Sequence, residues 1–185
     1  MNTSWQLPPP ALLEDDNALA DAAVHLYRAL YRDHFGDLLT INHALPVETR
    51  ALRRESEWRL FLLLTPWMLT RVLVPGSAPD VDFPPETSLA ECEARDPVVL
   101  GPTLTFRLGN SPQKAHLSYH PLLGHYLLQP LVLAMESYRS ADEVYAAWND
   151  VIRTRNANMQ RLARSCAWQE EVSRREFLQG LRRHS

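Results

Sequence analysis

The stretch that decides the fold is Trp58–Gly76, with the sequence WRLFLLLTPWMLTRVLVPG. Its first part, Trp58–Thr65, is almost continuously apolar and too short for a typical helix, so it predicts a strand buried on both faces. Pro66 must interrupt that strand, and Met68–Val74 resumes as a second strand that a Pro-Gly pair closes. A strand, a bend and a second strand therefore form the centre of the expected fold.

An amphipathic helix is predicted before this unit. Apolar residues recur at helical spacing over residues 19–30, after polar entry residues at 15–17 and before Gly36, which ends the pattern. Between the helix and Trp58 the sequence is ambiguous. Residues 38–41 read as a short strand and residues 48–54 as one charged turn.

Further strands and a long helix are predicted after the central unit. Thr103–Leu108 alternates apolar and polar residues, which predicts a strand with one buried face, and Ala115–Tyr119 follows it across a turn. Tyr126–Leu128 indicates one more strand. A capping box at Ser140 begins a helix of about 25 residues, and a second capping box at Ser173 predicts a short final helix.

These elements predict an α+β fold, with a small antiparallel sheet packed by the N-terminal amphipathic helix and the long C-terminal helix. A length of 185 residues and a hydrophobic share of 45% are enough for one core. Three consecutive prolines at 8–10 predict a flexible Pro-rich arm over residues 1–16 that stays out of any helix. The single domain is expected over residues 17–170, with a basic C-terminal tail over residues 171–185.

The charge is unevenly distributed along the chain. Residues 1–152 carry 11 basic and 19 acidic side chains, whereas residues 153–185 carry eight arginines and three glutamates. The net charge of -3 argues against nucleic acid as the main ligand, because neutralising phosphates needs a dominant basic face. The basic end still suits an acidic partner protein.

The sequence also predicts where the protein works. No apolar run approaches the roughly 20 residues that span a bilayer, so no stable membrane insertion is expected. Met1–Pro10 has neither a basic stretch nor an apolar stretch of the kind that export signals carry. The only cysteines, Cys92 and Cys166, are far apart and suit reduced thiols. We therefore expect a cytoplasmic protein.

Catalytic motifs are not apparent. No glycine-rich phosphate loop and no nucleophile motif occurs, so the protein is expected not to be an enzyme and to bind no cofactor. His116, His120 and His125 cluster in sequence, which leaves a histidine-based metal or small-ligand carrier as an alternative. Their strand-like flanks place His116 and His120 about 13 Å apart, which disfavours a shared metal.

The bend at Thr65–Leu69 is the strongest candidate for binding. Pro66 removes a strand hydrogen bond there, and such a bend can present Trp67 and Met68 outward as an apolar docking patch. The alternative is that Trp67 fills the core beneath the bend. Both interpretations stay open at this level. Arg71 and the arginine-rich tail are expected to steer an acidic partner toward the patch.

The tail contains a second candidate motif. Ser173-Arg174-Arg175-Glu176-Phe177-Leu178 matches the S-R-R-x-F-L core of a twin-arginine export signal, but no apolar segment follows it. One interpretation is simply the start of an amphipathic helix. The other is that Arg174 and Arg175 mimic, or compete with, the signal of a partner.

The residues quoted above also carry a family resemblance. Thr65–Leu69 followed by Val72–Gly76 resembles the T-P-W-M-L...P-G signature of the HybE/HupJ family of [NiFe]-hydrogenase assembly chaperones. Gly101–Phe106 is similar to that family's G-x-x-x-F strand, and Leu128–Leu131 to its L-x-S-P segment, with Gln129 in place of the serine. The likeness extends over roughly residues 18–180.

The resemblance implies an α+β fold, no catalytic residues, and binding of a hydrogenase subunit precursor, large or small, before twin-arginine export. Cofactor insertion would be coordinated with that export. A general protein-interaction module stays as an alternative, and the oligomeric state is left open. The expected partner-binding residues are Pro66, Trp67, Met68, Leu69, Arg71, Arg174 and Arg175.

Overall fold

The computed structural model describes residues 5–81, 89–96, 100–109 and 111–181, without the side chains of residues 89 and 162–181. The helices are α1 (Pro10–Glu14), α2 (Asp16–Leu30), α3 (Leu89–Glu93) and α4 (Ala141–Leu181), and a π-helical turn (Tyr31–Phe35) extends α2. The strands are β1 (Glu48–Glu55), β2 (Trp58–Thr65), β3 (Met68–Pro75), β4 (Thr103–Leu108), β5 (Ser111–His120) and β6 (Gly124–Val132).

The six strands form one antiparallel sheet in the order β1-β2-β3-β6-β5-β4. The fold class is therefore α+β, as the sequence predicted. β2 and β3 form a hairpin in which Thr65 is opposite Met68 and Trp58 is opposite Pro75, so the central strand, bend and strand are confirmed. β6 continues past Pro130. This proline is opposite Thr70, and the pairing of β3 with β6 shifts register next to it, because Leu69 is opposite Val132.

Both faces of the central strands are buried. On one face, Phe61 and Val72 pack with Leu19 and Leu26 of α2. On the other face, the cluster consists of strand residues together with Trp5 and Cys92 from outside the sheet. The strand residues are Trp58, Leu60, Leu73, Leu104, Phe106, Leu108, Ala115, Leu117 and Leu127. This double burial explains why β2 is apolar almost throughout rather than alternating.

Helix α2 begins where the sequence predicted. The Asp15 carboxylate accepts hydrogen bonds from the backbone N–H groups of Asn17 (2.8 Å) and Ala18 (3.2 Å), which caps the first turn. Asp16 then accepts from Arg54 of β1 (2.7 Å) and Arg59 of β2 (3.1 Å). The hydrogen bond from Arg54 lowers the pKa of Asp16 below its usual value. These bonds tie the helix start to the sheet.

Two predictions for the segment before Trp58 are wrong. Residues 48–54 form most of β1 rather than a charged turn, and residues 38–41 lie in turns rather than in a strand. β1 is an edge strand with exposed arginines, and Ala51, at φ 57°, sits where its pairing with β2 shifts register. Charge and irregularity protect an edge strand from pairing with other chains, so its sequence does not resemble that of a buried strand.

The predictions for both ends also need correction. Residues 10–14 form α1, which begins at a proline, a residue favoured at the first helical position, so the expected arm does contain a helix. The predicted break before Ser173 is absent, because α4 is continuous from Ala141 to Leu181. The capping bond at its start, from the Glu143 N–H to the Ser140 hydroxyl oxygen (3.3 Å), is present as expected.

The chain divides into two compact units, Met1–Val144 and Tyr145–Ser185. The division falls inside α4, and the domain boundary predicted near residue 170 stays a prediction. Of the helices in the described ranges, none combines the length and the apolar character needed to cross a membrane.

Candidate partner-binding surface

Pro66 and Trp67 form the tight turn between β2 and β3. The backbone N–H of Met68 donates to the hydroxyl oxygen of Thr65 (3.0 Å), and that hydroxyl donates to the Met68 carbonyl oxygen (3.0 Å). Pro66 has no N–H to satisfy and its fixed φ suits a turn position. The turn is therefore closed by local hydrogen bonds at the end of the hairpin.

The turn does not present all of its predicted residues to solvent. Pro66 is buried, Met68 is 5% exposed and Leu69 is fully buried, so the expectation that Met68 points outward is wrong. The reason is that Met68 already belongs to β3 and joins the core cluster beneath α2. Trp67 is the one residue of the turn Pro66–Leu69 that is half-buried. The binding role of these residues is a separate matter and stays a prediction.

Trp67 lies against aromatic residues of α2 and its π-helical turn. Its ring stacks on Phe35, with centroids 4.2 Å apart and planes 16° apart, and runs nearly parallel to Tyr31 at 6.3 Å. Tyr27 stacks at 6.3 Å from the buried side. Each such aromatic pair adds about 0.5–1.5 kcal/mol beyond simple burial. The stack fixes the orientation of Trp67.

The π-helical turn helps to place Phe35 in this stack. Its hydrogen bonds span five residues instead of four, so side chains four residues apart drift around the axis in the opposite sense from those in an α-helix. Tyr31 and Phe35 consequently stay on the side that faces Trp67. The spacing of four in Tyr27, Tyr31 and Phe35 was the sequence signal for this arrangement.

Two leucines that follow the π-helical turn are open to solvent. Leu38 is 45% exposed and Leu39 is 98% exposed. The Leu38 N–H donates to the Phe35 carbonyl oxygen (3.1 Å), which ties this segment to the aromatic stack, and we call Tyr31, Phe35, Leu38, Leu39 and Trp67 the apolar corner. Apolar side chains so exposed are common singly, but a group beside a partly open aromatic stack is typical of an interaction site.

Two side chains hold the loop of the apolar corner in place. The backbone N–H of Asn42 donates to the Pro66 carbonyl oxygen (3.2 Å), and its side-chain amide donates to the carbonyl oxygens of Met135 (2.8 Å) and Tyr138 (2.7 Å). His43 contacts the Leu38 carbonyl oxygen through Nε2 (3.0 Å) and the Tyr31 hydroxyl through Nδ1 (2.6 Å). Because a carbonyl oxygen can only accept, Nε2 donates and Nδ1 accepts from the tyrosine.

Arg71 does not belong to the apolar corner. Alternation along β3 places Arg71 on the face of Leu73, opposite Val72 and the aromatic stack, and Arg71 donates to the Gln129 side-chain oxygen (3.2 Å). Arg174 and Arg175 lie in α4, and their side chains fall outside the described residues. The rim of the corner instead carries the exposed residues Arg32, Asp33, His34 and Asp37.

A buried tyrosine pair links the corner to the core. The hydroxyl groups of Tyr27 and Tyr126 are 3.3 Å apart. Burial raises the pKa of Tyr126 to about 12, and it raises the pKa of Tyr27 well above its usual value. Both side chains therefore stay protonated in the folded protein at pH values where an unfolded tyrosine, with a pKa near 10, ionises.

Alkaline pH is accordingly expected to destabilise the protein through this pair. A folded-state pKa above the unfolded one contributes stability that is complete below pH 10 and is lost as the pH rises toward 12. The test compares the free energy of unfolding of the wild type with that of Tyr126→Phe. The difference between them should fall by about 1.4 kcal/mol per pH unit between pH 10 and pH 12. Chemical denaturation at pH 9, 10 and 11 measures it, and a difference independent of pH would contradict it.

The three clustered histidines make separate contacts. His116 Nδ1 lies 2.9 Å from the Gly101 carbonyl oxygen, and His120 Nδ1 accepts from the Leu122 N–H (3.2 Å). His125 is fully buried, and its Nδ1 accepts from the Gln6 N–H (2.8 Å). In the part of the chain that the structure describes, no three His, Cys, Asp or Glu side chains come together as a metal site would require.

An apolar surface with a polar rim on an antiparallel-sheet domain is typical of a protein-binding domain. Comparison with known families matches residues 18–180 to the family described as "[NiFe]-hydrogenase assembly, chaperone, HybE". The chain therefore belongs to the HybE family of [NiFe]-hydrogenase assembly chaperones, and the resemblance predicted from its turn motif is confirmed.

Among solved structures, the chain is similar to the solution structure of HybE from Escherichia coli. The two share 16% sequence identity over 72% of this chain and 74% of that chain, with a TM-score of 0.47. No curated protein matches this sequence.

Proposed function

We propose that this chain holds an immature [NiFe]-hydrogenase subunit precursor through the apolar corner, and that it acts by binding rather than by catalysis. Family membership supports the class of client. The observations that support the surface are that Phe35 and Trp67 stack on each other while both stay half-buried, and that Leu39, four residues after Phe35, is 98% exposed. A large apolar side chain is rarely left so exposed beside an aromatic stack unless a partner covers it.

The apolar corner suits temporary holding. Its centre is apolar, its rim carries charges of both signs, and Arg32 pairs with Asp33 (2.8 Å). Exposed pairs of this kind add little affinity, so binding energy comes from the few apolar residues at the centre. Affinity on that basis is moderate, which a holding chaperone needs because its client must leave after maturation.

The place and the stage at which the chain acts are also part of this proposal. The chain works in the cytoplasm, on a precursor that has not yet been exported by the twin-arginine route and that still awaits its cofactors. Arg71 of β3, together with Arg174 and Arg175 of α4, steers an acidic client toward the protein. That contribution falls with added salt.

Co-purification tests the proposal. In cells that make the cognate hydrogenase, tagged chain carrying Leu39→Asp should recover less than about a tenth of the precursor that wild type recovers, because a carboxylate would be desolvated at the centre of the interface. Val151→Asp is the matched control, since Val151 of α4 is 55% exposed and is not one of the residues of the apolar corner.

Two outcomes would contradict parts of the proposal. Full recovery with Leu39→Asp would remove the apolar corner as the binding surface while leaving the function intact. Recovery of no hydrogenase subunit by the wild type, under the same conditions, would instead contradict the function.

A further inference from the structure

Residues Trp5–Leu7 lie in a socket formed by α3, β5 and the start of β6. Every polar group of Gln6 is hydrogen-bonded there. Its backbone N–H donates to His125 Nδ1 (2.8 Å), and its carbonyl oxygen accepts from the His125 N–H (2.7 Å). Its side-chain amide donates to Glu93 Oε1 (2.7 Å) and accepts from the Tyr119 hydroxyl (2.9 Å). A chain segment is recognised here through both its backbone and its side chain.

The socket also has an apolar part. Trp5 is 8% exposed and joins the cluster on the second face of the sheet. Its ring meets His125 edge-on, with centroids 5.5 Å apart, and Tyr119 contacts the same imidazole at 4.8 Å. An aromatic anchor beside a hydrogen-bonded backbone is the pattern by which extended peptides are bound at a sheet.

Gly124 makes this close approach feasible. A Cβ atom at this position would lie 2.3 Å from the Gln6 carbonyl oxygen, and the residue has a φ of +64°. Any side chain there would collide with the backbone of the bound segment. The socket therefore requires glycine at position 124, in addition to the groups that line it.

The segment Trp5–Leu7 can leave the socket without breaking helix α1. Gln6 and Leu7 are exposed although Trp5 and Pro8 are buried, and the prolines at 8–10 have no N–H to donate. Helix α1 starts after this segment, and its first hydrogen bonds run from Leu12 and Leu13 to the Pro9 carbonyl oxygen. Removing Trp5–Leu7 from the socket breaks none of those helical bonds.

We propose that this socket is a peptide-binding site at which the chain's own segment exchanges with an extended segment of a partner protein, one that carries an aromatic residue followed by glutamine. Glutamine is selected over glutamate because Glu93 Oε1 accepts from its amide, whereas a second carboxylate would be repelled. The tethered segment competes at an effective concentration in the millimolar range, so exchange requires that it be displaced. This site is separate from the apolar corner and does not depend on its role.

The test uses a fluorescent peptide of residues 1–9, MNTSWQLPP, and the full-length chain. The double variant Trp5→Ala/Gln6→Ala should bind the peptide at least about tenfold more tightly than wild type, because its own segment no longer competes. A peptide with glutamate in place of glutamine should lose at least about tenfold in affinity for the same variant. Fluorescence anisotropy measures both.

Two glycine variants provide a matched pair. Adding Gly124→Ala to the double variant should abolish peptide binding. Adding Gly109→Ala should leave it unchanged, because Gly109 has a similar φ of +56° but no atom lies within 4 Å of the position that its Cβ would take. Equal binding by both would show that the peptide does not occupy the socket, and would overturn the proposal.

Loss of Trp5 from the core can itself unfold the chain. Gln6→Glu therefore serves as a second opened variant, since it keeps Trp5 and places two carboxylates together at Glu93. Folding of each variant is checked by circular dichroism. Failure of the peptide to bind a folded opened variant more tightly than wild type would also overturn the proposal.

Discussion

Trp67→Ala is expected to weaken binding of the hydrogenase precursor by about 30-fold, which corresponds to about 2 kcal/mol. Trp67 is the centre of the apolar corner, and its ring is stacked on Phe35 with part of its surface accessible. Aromatic residues held rigid in this way dominate binding energy because little conformational freedom is lost when a partner arrives. Titration of purified precursor with each variant measures the change.

The same substitution should also lower stability. Trp67 is half-buried, but its ring stacks against three aromatic rings, so we expect the free energy of unfolding to fall by about 2–4 kcal/mol. Trp67→Phe keeps a ring against Phe35 and should retain most of the affinity. Unchanged affinity in a folded Trp67→Ala variant would assign Trp67 to the core alone.

Met68→Ala is expected to lower stability without weakening binding. The free energy of unfolding should fall by about 2–5 kcal/mol. Met68 is 5% exposed and packs in the cluster under α2, so its truncation leaves a cavity that the surrounding strands cannot fill. Urea denaturation measures the loss. Leu39→Ala is the comparison, because removing a side chain that is 98% exposed should change stability by no more than about 0.5 kcal/mol.

At a temperature where Met68→Ala remains folded, its affinity for the precursor should stay close to that of the wild type. A stable Met68→Ala protein that fails to bind would return Met68 to the binding surface, as the sequence suggested. A Leu39→Ala variant as unstable as Met68→Ala would mean that the loop packs more tightly than its exposure indicates.

The sequence predicted the centre of the fold well because the central residues carry strong local signals. The apolar run of β2, the proline after it and the Pro-Gly pair at the end of β3 identify a hairpin without reference to the rest of the chain. The cap at Asp15 and the alternation in β4 are equally local. These features depend on neighbours in sequence, so they could be predicted from it.

The position of the binding surface depends on contacts that are distant in sequence. The sequence left open whether the bend turns Trp67 and Met68 outward, and in the structure Met68 packs in the core cluster with α2 while Trp67 is half-buried. The exposed leucines occur in a segment whose turns gave an ambiguous pattern. The spacing of four between Tyr27, Tyr31 and Phe35 was visible in the sequence, yet nothing in it indicated Trp67 as their partner.

The position of the N-terminal segment also depends on contacts that are distant in sequence. Proline content predicted a flexible arm, and in the structure Trp5 is buried and Gln6 is bonded by residues more than 85 positions away. Composition describes the preference of an isolated segment, whereas a socket built from α3, β5 and β6 decides whether that segment stays free. No local pattern at Trp5 or Gly124 carries this information.

The central claim is that the apolar corner binds the hydrogenase precursor, and the most direct measurement is the dissociation constant of Leu39→Asp for that purified precursor. We expect it to be at least about tenfold weaker than for wild type, with Val151→Asp within about twofold of wild type. Dissociation constants that are the same for Leu39→Asp and wild type, with both proteins folded, would contradict the claim.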